Sequence, residues 1–182
     1  MRIIRFGLLS IVVNTVVTAT ILLNGTAWAQ QQAPSAAAPV PAALYTAKKV
    51  FISNAGADSG LFPEPFSGNP DRAYREFYAN VQGLGRYDLV ANPADADLVF
   101  ELQLTAPNGP ANANKVKGAS DPLPMFRLVI YDRTSHYILW TLTQTIQVAV
   151  LQKTHDRNFD TALEMLIENL NKLTTPVATG IP

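Results

Sequence analysis

From about residue 48 to residue 175 the apolar positions of this chain switch between the two-residue period of strands and the 3.6-residue period of helices. Lys48–Ser53 alternates, with Val50 and Ile52 on one side and Phe51 on the other, and predicts a first strand. Asn54 to Asn69, rich in Gly, Pro and Asn, predicts a long loop. Asn69-Pro70-Asp71 then reads as a helix start, with Asn69 as cap, Pro70 at the first helical position and Asp71 at the positive end of the dipole. Ala73, Phe77, Val81 and Leu84 form a helical stripe, and Gly83 and Gly85 close the helix.

The period then returns to two. Arg86–Ala91 predicts a short strand, Asn92-Pro93-Ala94-Asp95 a turn, and Leu98–Thr105 a strand with Leu98, Phe100, Leu102 and Leu104 on one face and Glu101, Gln103 and Thr105 on the other. A polar loop from Pro107 to Asp121 follows. Leu123–Asp132, the hairpin turn Asp132–Ser135 and a long return strand His136–Leu151 come next. Ile138, Trp140, Leu142, Ile146, Val148 and Val150 share one face of that return strand, and Thr141, Thr143, Thr145 and Gln147 the other. Gln144 interrupts the apolar row and marks a candidate bulge. A last helix begins at Asp156 or Asn158 with the stripe Phe159, Leu163, Leu166, Ile167, Leu170 and Leu173. Glu168 and Lys172 are spaced to pair on its polar side.

One apolar face per strand and one stripe per helix predict an α+β, two-layer sandwich. The expected sheet has four to five strands, mostly antiparallel, with two helices on one face. The first strand–helix–strand unit is expected to be a right-handed parallel crossover. The Thr/Gln-rich face of the sheet is left to solvent or to a partner.

The ends of the chain change the picture. Arg2 and Arg5, an apolar run densest at Leu8–Val17, and Ala27-Trp28-Ala29 have the layout of a cleavable secretory signal over residues 1–29. An uncleaved anchor is the alternative, weakened by Asn14, Thr15, Thr18, Thr20 and Asn24. The Gln/Ala/Pro-rich stretch 30–43 reads as a linker, 44–175 as a single α+β domain, and 176–182 as a flexible tail. The expected location is therefore periplasmic or secreted.

Charge and cysteine then exclude several function classes. The chain carries 14 basic and 14 acidic residues, or 12 against 14 once Arg2 and Arg5 leave with the signal. A near-neutral domain without a basic stripe is not expected to bind nucleic acid. The absence of Cys rules out disulfides, thiolate chemistry and lipid attachment at an N-terminal Cys, so no stable membrane anchor is expected after cleavage. With two His, no Cys and no second His at ligand spacing, no metal and no cofactor are expected.

Candidate chemistry is sparse. The Asn54–Gly68 loop sets Asn54, Asp58, Ser59 and Glu64 among glycines and prolines, and is read as a ligand or partner loop. It lacks the Lys of a phosphate cradle and the acid pattern of a calcium loop. His136 and His155 read as surface or turn residues, and Asp95 and Asp97 as strand-starting residues rather than an acid–base pair. Trp140 reads as core. Tyr131 and Tyr137 fall on the opposite face and form a candidate exposed aromatic patch.

Gly85–Val90 (Gly-Arg-Tyr-Asp-Leu-Val) after a helix, then Ala94–Leu102 (Ala-Asp-Ala-Asp-Leu-Val-Phe-Glu-Leu), then a hairpin with Ile138-Leu139-Trp140 and a final helix, form a recurring pattern. Over roughly Lys48 to Leu173 it resembles a group of bacterial envelope α+β domains that includes the amino-terminal domain of TolB, the curli secretion protein CsgG and the penicillin-binding-protein activator LpoB. The resemblance implies docking or assembly without catalysis, and no catalytic residues. The expected function is thus an exported envelope module that binds an envelope protein or a second copy of itself, and not an enzyme. The alternative is a small exported hydrolase or ligand-binding protein using the Asn54–Gly68 loop.

Overall fold

The computed structural model describes residues 38–111 and 120–175. The expected signal, most of the expected linker, the tail and the middle of the Pro107–Asp121 loop lie outside them. The elements run α1 (Ala43–Thr46), β1 (Lys49–Ala57), α2 (Arg72–Gly83), β2 (Asp88–Leu89), a 3-10 turn (Pro93–Asp95), β3 (Leu98–Thr105), β4 (Asn108–Ala111), β5 (Ser120–Pro122), β6 (Met125–Asp132), β7 (Ile138–Thr145) and α3 (Gln152–Thr174).

Five strands form one sheet in the order β2-β1-β3-β6-β7. β1 is parallel to both β2 and β3, while β3–β6 and β6–β7 are antiparallel. The sheet is mixed, where a mostly antiparallel one was expected. After α2 the chain pairs with one side of β1 as β2, then passes beneath the start of β1 and pairs with its other side as β3. That path also shortens β2. Leu89 and Leu98 both flank Val50, so a chain that must reach the far side of β1 forms two ladder residues and not the expected six.

One face of the sheet carries the core. Val50, Ile52, Leu98, Phe100, Leu102, Leu104, Phe126, Leu128 and Ile130 are buried there against Ala73, Phe77 and Val81 of α2 and Phe159, Leu163, Leu166 and Leu170 of α3. The helical stripes are the ones the sequence predicts. The short α1 is unpredicted, and it places Leu44 in the same core. Val40 and Ala43 pack against that core as well.

Four boundaries differ from expectation, each for a local reason. β1 continues to Ala57 because Asn54-Ala55-Gly56 forms a bulge instead of a break. The register moves from Asn54 opposite Leu102 to Ala57 opposite Leu104, Asn54 Oδ1 accepts the Gly56 N–H at 2.9 Å, and Gly56 has φ +84°. Asn69 does not cap α2 with its side chain. Its carbonyl accepts the Arg72 N–H at 2.9 Å, and the residue preceding the helix is Asp71. α3 starts at Gln152, ahead of Asp156, because the Leu151 carbonyl already accepts from Thr154 and His155. Within the expected Pro107–Asp121 loop, β4 and β5 pair as a ribbon. A Cβ at Gly109 would stand 2.8 Å from the Asp121 carbonyl oxygen, so only glycine fits that close approach.

β7 departs most. It ends at Thr145, and its bulge lies at Leu139, not at Gln144: Ile130 pairs with Trp140 but Tyr131 pairs with Ile138. One extra residue flips the side-chain parity. Ile138 therefore leaves the face shared by Trp140 and Leu142 and stands 55% exposed opposite Tyr131. Ile146 still enters the core, but Val148 and Val150, expected on the same apolar face, are exposed.

Candidate functional site

The carboxylates with lowered pKa values hold backbone together. At the start of the β1–β3 pair, Asp97 Oδ2 accepts the N–H groups of Lys48 and Lys49, both at 2.9 Å. These bonds, the one from Lys49 foremost, hold its pKa below the ordinary aspartate value. At the far end, Asp58 Oδ2 accepts the Ala106 N–H at 2.8 Å and the Thr105 hydroxyl at 2.7 Å, which lowers its pKa in the same way. Asp95 sits on the 3-10 turn and is exposed.

The four residues singled out between Asn54 and Gly68 separate. Asn54 closes the β1 bulge, Asp58 holds the end of β3, Ser59 lies in an exposed turn, and Glu64 is exposed on the rim of a shallow cavity of about 510 Å³ shared with Pro65, Val150, Gln152 and His155. The segment is pinned by Leu61 and Phe66, both buried, and by a 2.8 Å hydrogen bond from Gln152 Nε2 to the Pro65 carbonyl. His155, expected at the surface or in a turn, is instead buried in the first turn of α3. Its ring meets that of Phe66 edge-on at 6.1 Å, and its Nδ1 accepts the Ala149 N–H at 3.4 Å. The early start of α3 is what turns it inward.

The sequence reading missed Arg72. Its guanidinium bridges Glu76 (2.8 Å), Asp156 (2.8 Å) and Asp160 (2.6 Å), donates to the Ser67 carbonyl at 3.2 Å, and lies 4.3 Å over the Phe159 ring. Burial pulls the Arg72 pKa down, but Glu76, Asp156 and Asp160 outweigh it and the net shift is upward. For Asp156 burial pushes upward, and the Ser67 N–H and hydroxyl together with Arg72 reverse it, leaving the pKa lowered. The node ties α2, the loop and α3 together. Asp156 and Asp160, one turn apart at a helix start, are the signal that pointed to it.

An open cavity of about 770 Å³ lies on the uncovered sheet face. Val99, Glu101, Tyr131, Arg133 and His136 are among its lining residues. The Tyr131 hydroxyl donates to Glu101 Oε1 at 3.2 Å, and burial, then the Glu101 charge, raise its pKa. Arg133 is tied to the Ala94 carbonyl. His136 has φ +61° in the hairpin turn. Tyr137 is 75% exposed. The apolar neighbour opposite Tyr131 is Ile138. Trp140 packs partly against the core, as expected.

Among the described residues, the exposed large apolar side chains are Tyr137, Ile138, Val148, Val150, Leu151 and Met165. All but Met165 lie just before β7, at its first residue or in the segment that follows it. No helix among the described residues is long and apolar enough to cross a membrane, and no group of His, Cys, Asp and Glu among them is arranged to hold a metal ion.

Neither a family model nor a curated protein sequence matches this chain. Solved structures do. PelC of Paraburkholderia phytofirmans, solved as a dodecamer, is 14% identical over 71% of this chain and 89% of its own, with a TM-score of 0.42. A DUF330 protein of Xanthomonas campestris is 13% identical over 70% of this chain and 83% of its own, with a TM-score of 0.43. The C-terminal domain of LpoB from Salmonella enterica is 11% identical over 56% of this chain and 83% of its own, with a TM-score of 0.35. The likeness is loose, and LpoB belongs to the group that the sequence pattern resembles.

Proposed function

We propose that this chain is an exported, non-catalytic protein-binding module of the bacterial envelope, working in the periplasm or outside the cell. The observation that carries this reading is the concentration of exposed apolar side chains along one rim, from Tyr137 and Ile138 to Val148, Val150 and Leu151. Exposed apolar side chains at both ends of one edge strand suit contact with another protein. The signal-like start, the linker-like stretch after it and the resemblance to envelope domains supply the location. The lack of catalysis is supported by the carboxylates: Asp58, Asp97 and Asp156 are occupied by backbone N–H groups or by Arg72.

The test is a photo-crosslinking residue at position 150 in living cells, with a control at Glu168 on the polar side of α3. One envelope protein captured at 150 and not at 168 is the expected result. The second reading is a small exported hydrolase or ligand-binding protein using the Asn54–Gly68 loop, favoured by the cavity that Glu64, Gln152 and His155 share. Substrate turnover by the purified protein that disappears in Glu64→Gln would overturn the first reading in its favour.

A further inference from the structure

Among the described residues, β7 is the one long open edge of this sheet. At the opposite edge β2 has two residues, whereas β7 has eight and pairs only with β6 among the described residues. Its backbone direction follows from one hydrogen bond. The Ile146 N–H donates to the Pro124 carbonyl at 2.8 Å, so strand alternation turns residues 144, 142 and 140 toward β6 as well. The N–H and C=O groups of Thr141, Thr143 and Thr145 therefore point away from the sheet. Their side chains are exposed on its uncovered face.

Soluble proteins commonly blunt such an edge with Lys, Glu, Pro or an inward charge. This edge carries none of these. From Tyr137 to Leu151 there is no Asp, Glu, Lys, Arg, His or Pro, although the chain as a whole is 15% charged. The blunting device present is the bulge at Leu139, confined to one end.

Resting on the docking reading above, we propose that the partner is a second copy of this chain, joined edge to edge through antiparallel β7 strands about a twofold axis at Thr143. Two observations on the strand select a copy of itself over a different peptide. An edge without charge brings no like-charge contact when it meets itself. The outward-facing backbone groups belong to Thr141, Thr143 and Thr145, and a twofold at Thr143 sets Thr143 opposite Thr143 and Thr141 opposite Thr145 of the second copy, each as a hydrogen-bonded pair.

The proposal is tested by sedimentation velocity and amide hydrogen exchange on the protein purified after export. A mass of two chains is expected, with Thr141, Thr143 and Thr145 amides protected at high concentration and exchanging on dilution. Thr141→Lys with Thr145→Lys places Lys opposite Lys and should weaken the dimer by at least about tenfold in Kd. Thr141→Lys with Thr145→Glu restores opposite charges in this register alone and should restore the dimer. Circular dichroism and thermal melting check that each variant is folded. A monomer at every concentration, or a dimer that the folded double-lysine variant leaves intact, overturns the proposal. The docking reading is tested separately: a monomer whose crosslinker at position 150 still captures a different envelope protein removes the second copy and leaves that reading standing, and one that captures nothing removes both.

Discussion

The two sides of the sheet are fastened very differently. Around β1 and β3 the chain is clamped at both ends by carboxylates that accept backbone N–H groups, Asp97 below and Asp58 above, and Arg72 locks α2 to α3 above the core. Among the described residues nothing comparable exists around β7: the strand has one neighbour, no charge, and exposed apolar residues at and beyond its ends. Charged side chains that close a structure on itself also exclude other chains from it. Their concentration on one side and absence from the other separates the part of this molecule that holds the fold from the part available for contact.

The sharpest way to break that contrast is to disturb its fastened side. Phe100 is fully buried in the middle of β3, edge-on to Tyr87 at 5.4 Å. Phe100→Ala is expected to destabilise by about 3–5 kcal/mol, read as a loss of midpoint in urea unfolding. Arg72→Met should follow at about 2–3 kcal/mol, less than a fully buried pair because Glu76 and Asp160 are partly exposed. Much of that loss is the isolation of Asp156, so the double change with Asp156→Asn should recover part of it in the same unfolding measurement. If Arg72→Met melts like the wild type, the node is not what joins α2 to α3.

What could be read from the sequence divides along physical lines. The stripes Ala73-Phe77-Val81 and Phe159-Leu163-Leu166-Leu170 were legible because a helix repeats within its own chain segment. The strand cores at 98–104 and 126–130 were legible for the same reason. The bulge at Leu139 was not, because a bulge is a relation between two strands: nothing local to Ile138 says that Tyr131 will pair one residue out of step. The extension of β1 was hidden by Asn54-Ala55-Gly56, whose residues suit a turn and a bulge equally. Asp58 read as candidate chemistry, and the backbone-holding role of Asp97 went unread, because their partners, the N–H groups of residues 106, 48 and 49, are distant in sequence. The Arg72 node was legible in part, since Asp156 and Asp160 are spaced one helical turn apart in the sequence.

Acid should loosen the fastened side first. Asp58, Asp97 and Asp156 all have pKa values lowered in the folded chain. The unfolded chain then takes up protons at a higher pH than the folded one. The stability these groups add is complete above the unfolded aspartate value of about 3.9 and is lost as pH falls through their folded values. The midpoint of urea unfolding should therefore drop on acidification below about pH 4. Asp58→Asn and Asp97→Asn should each lower stability at neutral pH by about 1 kcal/mol, because both carboxylates are largely solvated. Each should also flatten the acid limb, and a limb of unchanged slope in both variants would mean that other groups set it.

The smallest effect on stability is expected at the rim, and there a null result is informative. Val150 is 96% exposed, so replacing it with Lys removes almost no buried surface and should shift stability by less than about 0.5 kcal/mol. A side chain that the fold does not use, in a segment where neighbouring residues 148 and 151 are also apolar and exposed, carries a risk to solubility that contact with a partner removes. Val150→Lys should therefore leave the melting curve in place and reduce crosslinking from position 148. If instead it lowers the melting temperature by several degrees, the segment after β7 is packed against the fold in solution, and the contrast between a fastened side and an open one no longer holds.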